Sequence, residues 1–143
     1  MIIGIVGSRR RNTAEDYLNL CWKIVELERS NNTLTKKIVT GDCDEGGDKF
    51  ARKIAEDITE DIELDVKRIR DPETGEEMDF KNHRWFNYFN MCNIFYKRDK
   101  EIVKEPLDYL IALVAPDRTG GTEYTITQFK KYHKDWGEKL IIL

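Results

Sequence analysis

The stretch Tyr109-Leu110-Ile111-Ala112-Leu113-Val114-Ala115, followed after Pro116 by Asp117-Arg118-Thr119-Gly120-Gly121-Thr122, decides the fold. An unbroken apolar run has no wet face, so it reads as a strand buried on both sides and central in its sheet. The glycine loop behind it opens a helix expected over about residues 121–134. A buried strand, a glycine loop and a helix, in that order, make the repeating unit of an α/β sheet.

Working outward, the same unit recurs upstream. Residues 1–6 form a short apolar strand, Gly7-Ser8-Arg9 follows, and Asn12 or Thr13 is placed to cap a helix from Ala14. Tyr17, Leu18, Cys21, Trp22, Ile24, Val25 and Leu27 then fall at helical spacing until Asn31-Asn32-Thr33 ends the helix. Ile38-Val39 reads as a second strand, closed by Thr40-Gly41, and the acidic segment 42–47 leads into a helix containing Phe50, Ala51, Ile54 and Ala55. A third strand is expected over Glu63–Ile69, with Leu64, Val66 and Arg68 on one face.

Residues 70–83 are polar and carry the turn signals Asp71-Pro72 and Thr74-Gly75, so they read as a long loop. Trp85, Phe86, Phe89, Ile94 and Phe95 then predict a helix that runs through Arg98 and Ile102 and stops before Pro106. Asn90-Met91-Cys92-Asn93 is the expected point of a break or kink, and Lys139–Leu143 is the expected last strand. Alternating strands and helices predict an α/β fold: a Rossmann-like three-layer sandwich on a mostly parallel five-stranded sheet, with right-handed crossovers.

A length of 143 residues fits one domain over 1–143, and no linker or repeat divides it. With 40% hydrophobic and 36% charged residues, the composition is that of a core with a charged exterior, not of a disordered or membrane chain. The net charge of -3 counts against nucleic acid as a general partner, although Arg9-Arg10-Arg11 forms a local basic run. Cys21, Cys43 and Cys92 are odd in number, widely spaced and without a CxxC pair, which predicts reduced thiols, two in the core and one in a loop. His83 and His133 have no second ligand at metal-binding spacing, so no zinc site is expected. The apolar start, Met1 to Gly7, is too short for a signal peptide or a membrane span, and a cytoplasmic location is expected.

In open α/β sheets, ligands bind beyond the carboxyl ends of the strands, where strand order reverses. Three loops qualify: Gly7 to Arg9, Gly41 to Asp48, and Arg118 to Thr122. Each precedes a helix, whose free N–H groups and positive dipole end attract phosphate. Gly7, Gly41, Gly47, Gly120 and Gly121 let backbone approach closely, Ser8 and Thr122 carry hydroxyls, and Arg9 can pair bidentately with a phosphate. Asp48 can accept from ribose hydroxyls, or Asp44 or Asp48 can cap the following helix. The loop's carboxylates are of the type that holds Mg2+, but their spacing is not that of an EF-hand. Neither a Walker A motif nor GxGxxG occurs, which weighs against an ordinary ATPase or dehydrogenase.

The ordered set Gly7-Ser8-Arg9, Thr40-Gly41, Gly46-Gly47-Asp48-Lys49-Phe50-Ala51, Arg98-Asp99 and Gly120-Gly121-Thr122 resembles the SLOG superfamily, in particular its small stand-alone branch. That group of Rossmann-like domains includes the Lonely Guy phosphoribohydrolases, lysine-decarboxylase-like proteins and the DNA-processing protein A domain. The resemblance spans almost the whole chain and rests on the order of short motifs. It implies a pocket for a nucleotide or nucleotide derivative, with Gly7 to Arg9 and Gly120 to Thr122 facing the phosphate and the Gly47-Asp48 helix start beside the sugar.

The Lonely Guy enzymes cleave an N-glycosidic bond with a helix-borne arginine and a glutamate after a PGGxGT loop. The resemblance puts Arg98 in the arginine's place; the plainer reading is a surface charge paired with Glu101 or Glu105. The loop departs from the pattern, because Asp117-Arg118-Thr119 stands where the proline and first glycines would be. Tyr124 and Thr125 replace the paired glutamates, and Glu123 lies one position early, a rotation of about 100° on a helix. A first-turn acid favoured by the helix dipole explains Glu123 equally well.

Three functions stay open at this stage. The leading one is a sensor or binding protein for a nucleotide-derived small molecule. The second is a nucleoside monophosphate N-glycosidase using Arg98 and Glu123, and the third is a nucleic-acid or protein interaction module. The aromatic cluster Trp85, Phe86, Tyr88 and Phe89 reads as core or a dimer face, which leaves a homo-oligomer open.

Overall fold

The computed structural model describes residues 1–58, 61–78 and 88–143. Its centre is a five-stranded, all-parallel sheet of order β3-β2-β1-β4-β5, formed by β1 (Ile2–Gly7), β2 (Lys37–Thr40), β3 (Glu63–Val66), β4 (Tyr109–Leu113) and β5 (Leu140–Ile142). The chain builds outward from β1 to β3, then returns to lay β4 on the other side of β1. This is the Rossmann-like arrangement, and the β1–β4 seam is its switch point.

Alternation of side chains on buried strands supplies both faces of the sheet. Ile3, Ile5, Ile38, Ile111 and Leu113 pack against Leu20, Ile24 and Leu27 of α1 (Ala14–Asn31) and Phe50, Ala51 and Ile54 of α2 (Gly47–Ile58). Val6, Val39, Leu110 and Ala112 pack against Ile102 and Val103 of α3 (Tyr88–Lys104) and Ile126 and Phe129 of α4 (Gly121–Tyr132). The result is three layers. The helix predicted over 121–134 ends at Tyr132, and a short helix α5 (Trp136–Lys139) takes the first residue expected of the last strand.

Thr13, not Asn12, caps α1: its hydroxyl accepts from the Asp16 N–H, and the Asp16 carboxylate reaches back to the Thr13 N–H at 3.1 Å. Asn12 instead accepts from the Gly46 N–H and ties the first loop to the second. Gly47 lets α2 start directly on β1, since a Cβ there would lie 2.5 Å from the Val6 carbonyl carbon.

Two sequence expectations need correction. The third strand ends at Val66, not Ile69, and Arg68 is exposed. Ile69 turns away from the sheet to pack with Met78 and Ile94 in a small separate cluster. The helix expected to kink at Asn90 to Asn93 is continuous from Tyr88 to Lys104. Trp85 and Phe86, the side chains of Tyr88 and Phe89, and the last part of the predicted long loop lie outside the described residues. No described helix is long and apolar enough to cross a membrane.

Candidate functional site

At the β1–β4 switch point the loops after both strands flank a cavity of about 550 Å3. Its rim is Gly7, Ser8, Arg9 and Arg10 on one side and Thr119 to Thr122 on the other. A two-pronged clamp joins the rims: the Arg10 guanidinium donates to both Asp117 oxygens at 2.7 and 2.8 Å and to the Thr119 hydroxyl at 2.8 Å. The clamp holds the Asp117 carboxyl below its usual range, chiefly through the Arg10 hydrogen bond. Both partners are about half exposed, so the pair orients the loops more than it stabilises the fold.

α4 begins at this cavity without a capping side chain. Its N-cap residue, Gly120, has φ +107°, a backbone state that suits glycine, and makes no side-chain cap bond. The first N–H groups of a helix normally find a side chain, water or ligand. Here Gly121 and Thr122 line the rim and the Glu123 N–H donates to the Gly120 carbonyl at 3.2 Å, so the two first N–H groups of the helix are the ones suited to an anion.

The floor has the opposite character. Arg98, its side chain only 11% exposed, donates through Nε and Nη2 to Asp99 Oδ1 at 3.0 and 2.8 Å and through Nη1 to Asp42 Oδ1 at 2.7 Å. Asp48 Oδ2 lies 3.6 Å from Arg98 Nη1 and accepts from the Cys43 N–H at 3.2 Å. Asp48 and Asp99 are nearly fully buried, and both line the cavity. Burial pushes the Asp48 carboxyl up to about 6 despite the attraction of Arg98, and it raises Asp99 as well. For Arg98 burial opposes the charge, but Asp99, Asp48 and Asp42 outweigh it and hold the guanidinium ionised. Gly41 makes this packing feasible, because a Cβ there would sit 2.4 Å from Asp48 Oδ2 and 2.8 Å from the guanidinium carbon.

Of the residues singled out in the sequence, Gly7, Ser8, Arg9, Asp48, Arg98, Gly120, Gly121 and Thr122 meet at this cavity. Gly41 and Gly47 serve it from behind, as close-approach positions within the fold. Arg98 is not a surface charge beside Glu101 or Glu105; it is the buried hub of three carboxylates, and Glu105 pairs with Lys67. Glu123 is not part of the cavity lining; both its oxygens accept from Arg118 at the start of α4. Arg9 donates through Nε to Cys43 Sγ at 3.2 Å.

The sequence shows Asp99 only as part of the Arg98-Asp99 motif, Asp42 only within the acidic loop and Arg10 only within a basic run, and it gives no role to Tyr96. The signal for Asp99 was available: it falls at core spacing with Phe95, Ile102 and Val103, where a carboxylate needs a buried partner. Tyr96 lines the cavity and stacks on Tyr124, which stands where the resemblance would have put a glutamate (ring centroids 3.9 Å apart). The three cysteines are free and half-buried: Cys43 lies in a loop and Cys21 packs against the core, as expected, whereas Cys92 of α3, like Cys43, lines the cavity. Among the described residues, no group of three or more His, Cys, Asp or Glu side chains is arranged to hold a metal ion. No protein-family model matches this chain, and a search of curated proteins finds no significant match.

Proposed function

We propose that the protein binds a nucleotide-derived small molecule in the switch-point cavity, as a sensor or binding protein. The phosphate sits on the uncapped start of α4, between Ser8 and Thr122, and the sugar hydroxyls donate to the carboxylates of Asp48 and Asp99. The observation that carries this reading is the N-terminus of α4, which no side chain caps and whose first residues line a cavity at the β1–β4 seam. The cavity volume lies in the range of small-molecule sites.

A second reading has its own support. Asp48, raised to about 6 in a buried setting, is suited to pass a proton near neutral pH. In an N-glycosidase acting on nucleoside monophosphates, Asp48 or Asp99 would take the part the resemblance gives to Glu123, with Arg98 holding both in place.

Thermal-shift measurements with nucleoside monophosphates, ADP-ribose and cyclic dinucleotides, with and without Mg2+, test both. A ligand at a hundred times its dissociation constant adds about 2.7 kcal/mol of stability. A shift with intact ligand supports the binding protein, and a shift with released base supports the glycosidase. No shift across the panel overturns the binding assignment.

A further inference from the structure

The outward face of α1 carries a stripe that neither the core nor the cavity uses. Leu18 is 56% exposed and Trp22 67% exposed, although Leu20, Ile24 and Leu27 on the opposite face are buried. Half-buried Val25 continues the stripe one turn on, and Glu15 and Arg29 close it at its two ends, both exposed. The positions 15, 18, 22, 25 and 29 step by three and four residues, the spacing of a helix-packing seam. At 1.5 Å per residue the stripe is about 21 Å long.

Its charges are arranged to complement a copy of itself. Glu15 and Arg29 lie seven residues on either side of Trp22 and have opposite signs, and neither has an ion-pair partner among the described residues. If two α1 helices pack antiparallel about a two-fold axis at Trp22, Glu15 of each meets Arg29 of the other. A parallel pairing would instead set like charges against each other. We infer that this face of α1 forms a symmetric, antiparallel homodimer, with Trp22 on the two-fold axis, Leu18 and Val25 beside it and crossed Glu15–Arg29 pairs at the ends. Such a contact is isologous, the commonest form of closed assembly. One helix face covers less than the roughly 800 Å2 per partner of standard interfaces, so the dimer is concentration-dependent.

Sedimentation velocity over a series from about 1 to 300 μM tests this, a span that brackets micromolar to sub-millimolar affinity. The expected result is a monomer–dimer equilibrium that Trp22→Glu abolishes. Glu15→Arg and Arg29→Glu should each weaken it about tenfold or more, and the double variant, or an equimolar mixture of the two single variants, should restore it. Circular dichroism confirms folding, and rescue by a second substitution is not expected of a folding defect. A wild-type protein that stays monomeric across the series overturns the inference. So does a dimer indifferent to Trp22→Glu, or charge variants that the double substitution fails to rescue.

Discussion

Replacing Arg98 by methionine removes the charge from the floor of the cavity while keeping most of the side chain's length. Asp42, Asp48 and Asp99 would then face one another with their guanidinium gone, and the last two are only 5% and 4% exposed. Breaking a buried ion pair by deleting one partner costs about 3–5 kcal/mol, because the remaining charge has neither water nor a counter-ion. Unfolding entropy of about 2.1 cal/mol/K per residue makes 1 kcal/mol worth roughly 3 °C in a chain of this length, so the melting temperature should fall by about 10–17 °C at pH 7.

The pH dependence separates this cause from a packing defect. Without Arg98, the native-state carboxyls of Asp48 and Asp99 rise further above their unfolded values, so the folded state binds more protons than the unfolded one. Stability of the variant then falls as pH rises, and its deficit against wild type narrows on acidification from pH 7 to 5. Differential scanning calorimetry at both pH values is the assay. A deficit under about 3 °C at pH 7, on the same conversion, would refute the buried-hub argument, as would a deficit that grows with acid. Arg98→Lys keeps a charge but cannot reach three carboxylates in three directions from one ammonium, so it should fall in between.

Two further outcomes follow from the same geometry. Asp48 titrates near 6 when folded and near its ordinary value of about 3.9 when unfolded, so wild-type stability declines as pH climbs through that window; Asp48→Asn should flatten the decline, read by urea unfolding at several pH values. Gly47→Ala drives a Cβ into the Val6 and Gly7 backbone, which cannot step aside, and should cost about 1–3 kcal/mol or more. Gly137→Ala, inside α5 with nothing within 4 Å, is the control and should not lower the thermal midpoint, since Ala at a compatible helical position stabilises by about 0.4–1 kcal/mol.

Most of the architecture was legible because burial on both faces leaves a plain mark. The run at Tyr109–Ala115 could be little other than a buried interior strand; it lies one place from the middle of the sheet, beside the apolar run at Ile2–Val6, which holds the middle and pairs on its other side with Ile38–Val39. The errors arose where a local pattern met a tertiary competitor. Alternation at Glu63–Ile69 continues past the end of the strand because Ile69 is apolar for a different reason, its packing against Ile94 of α3. Of Asn90 to Asn93 only Met91 is a strong helix former, yet α3 continues because it packs against α4. Leu18 and Trp22 matched helical spacing as well as Ile24 and Leu27 did, and periodicity alone does not tell an inner stripe from an outer one. The acid hub was the least legible feature. Arg98 and Asp42 are 56 residues apart, and only the fold brings them within a hydrogen bond.

The cavity's two poles constrain any ligand the proposed site accepts, and in which direction it lies. An anion placed on the floor would meet Asp48 and Asp99, whose excess charge Arg98 only partly offsets, so phosphate belongs at the α4 rim and hydrogen-bond donors at the floor. The poles are also close to each other: a Cβ on Gly121 would stand 3.9 Å from Asp99 Oδ2. Phosphate at the start of α4 would therefore raise the Asp99 carboxyl further in the direction burial already pushes it. Arg98 limits that cost by holding Asp99 Oδ1 through two hydrogen bonds, which directs part of the carboxylate's charge away from the rim. In the proposed binding mode the buried arginine would thus serve to let acid and phosphate coexist more than as a direct ligand, since each of its three nitrogens already donates to Asp99 or Asp42.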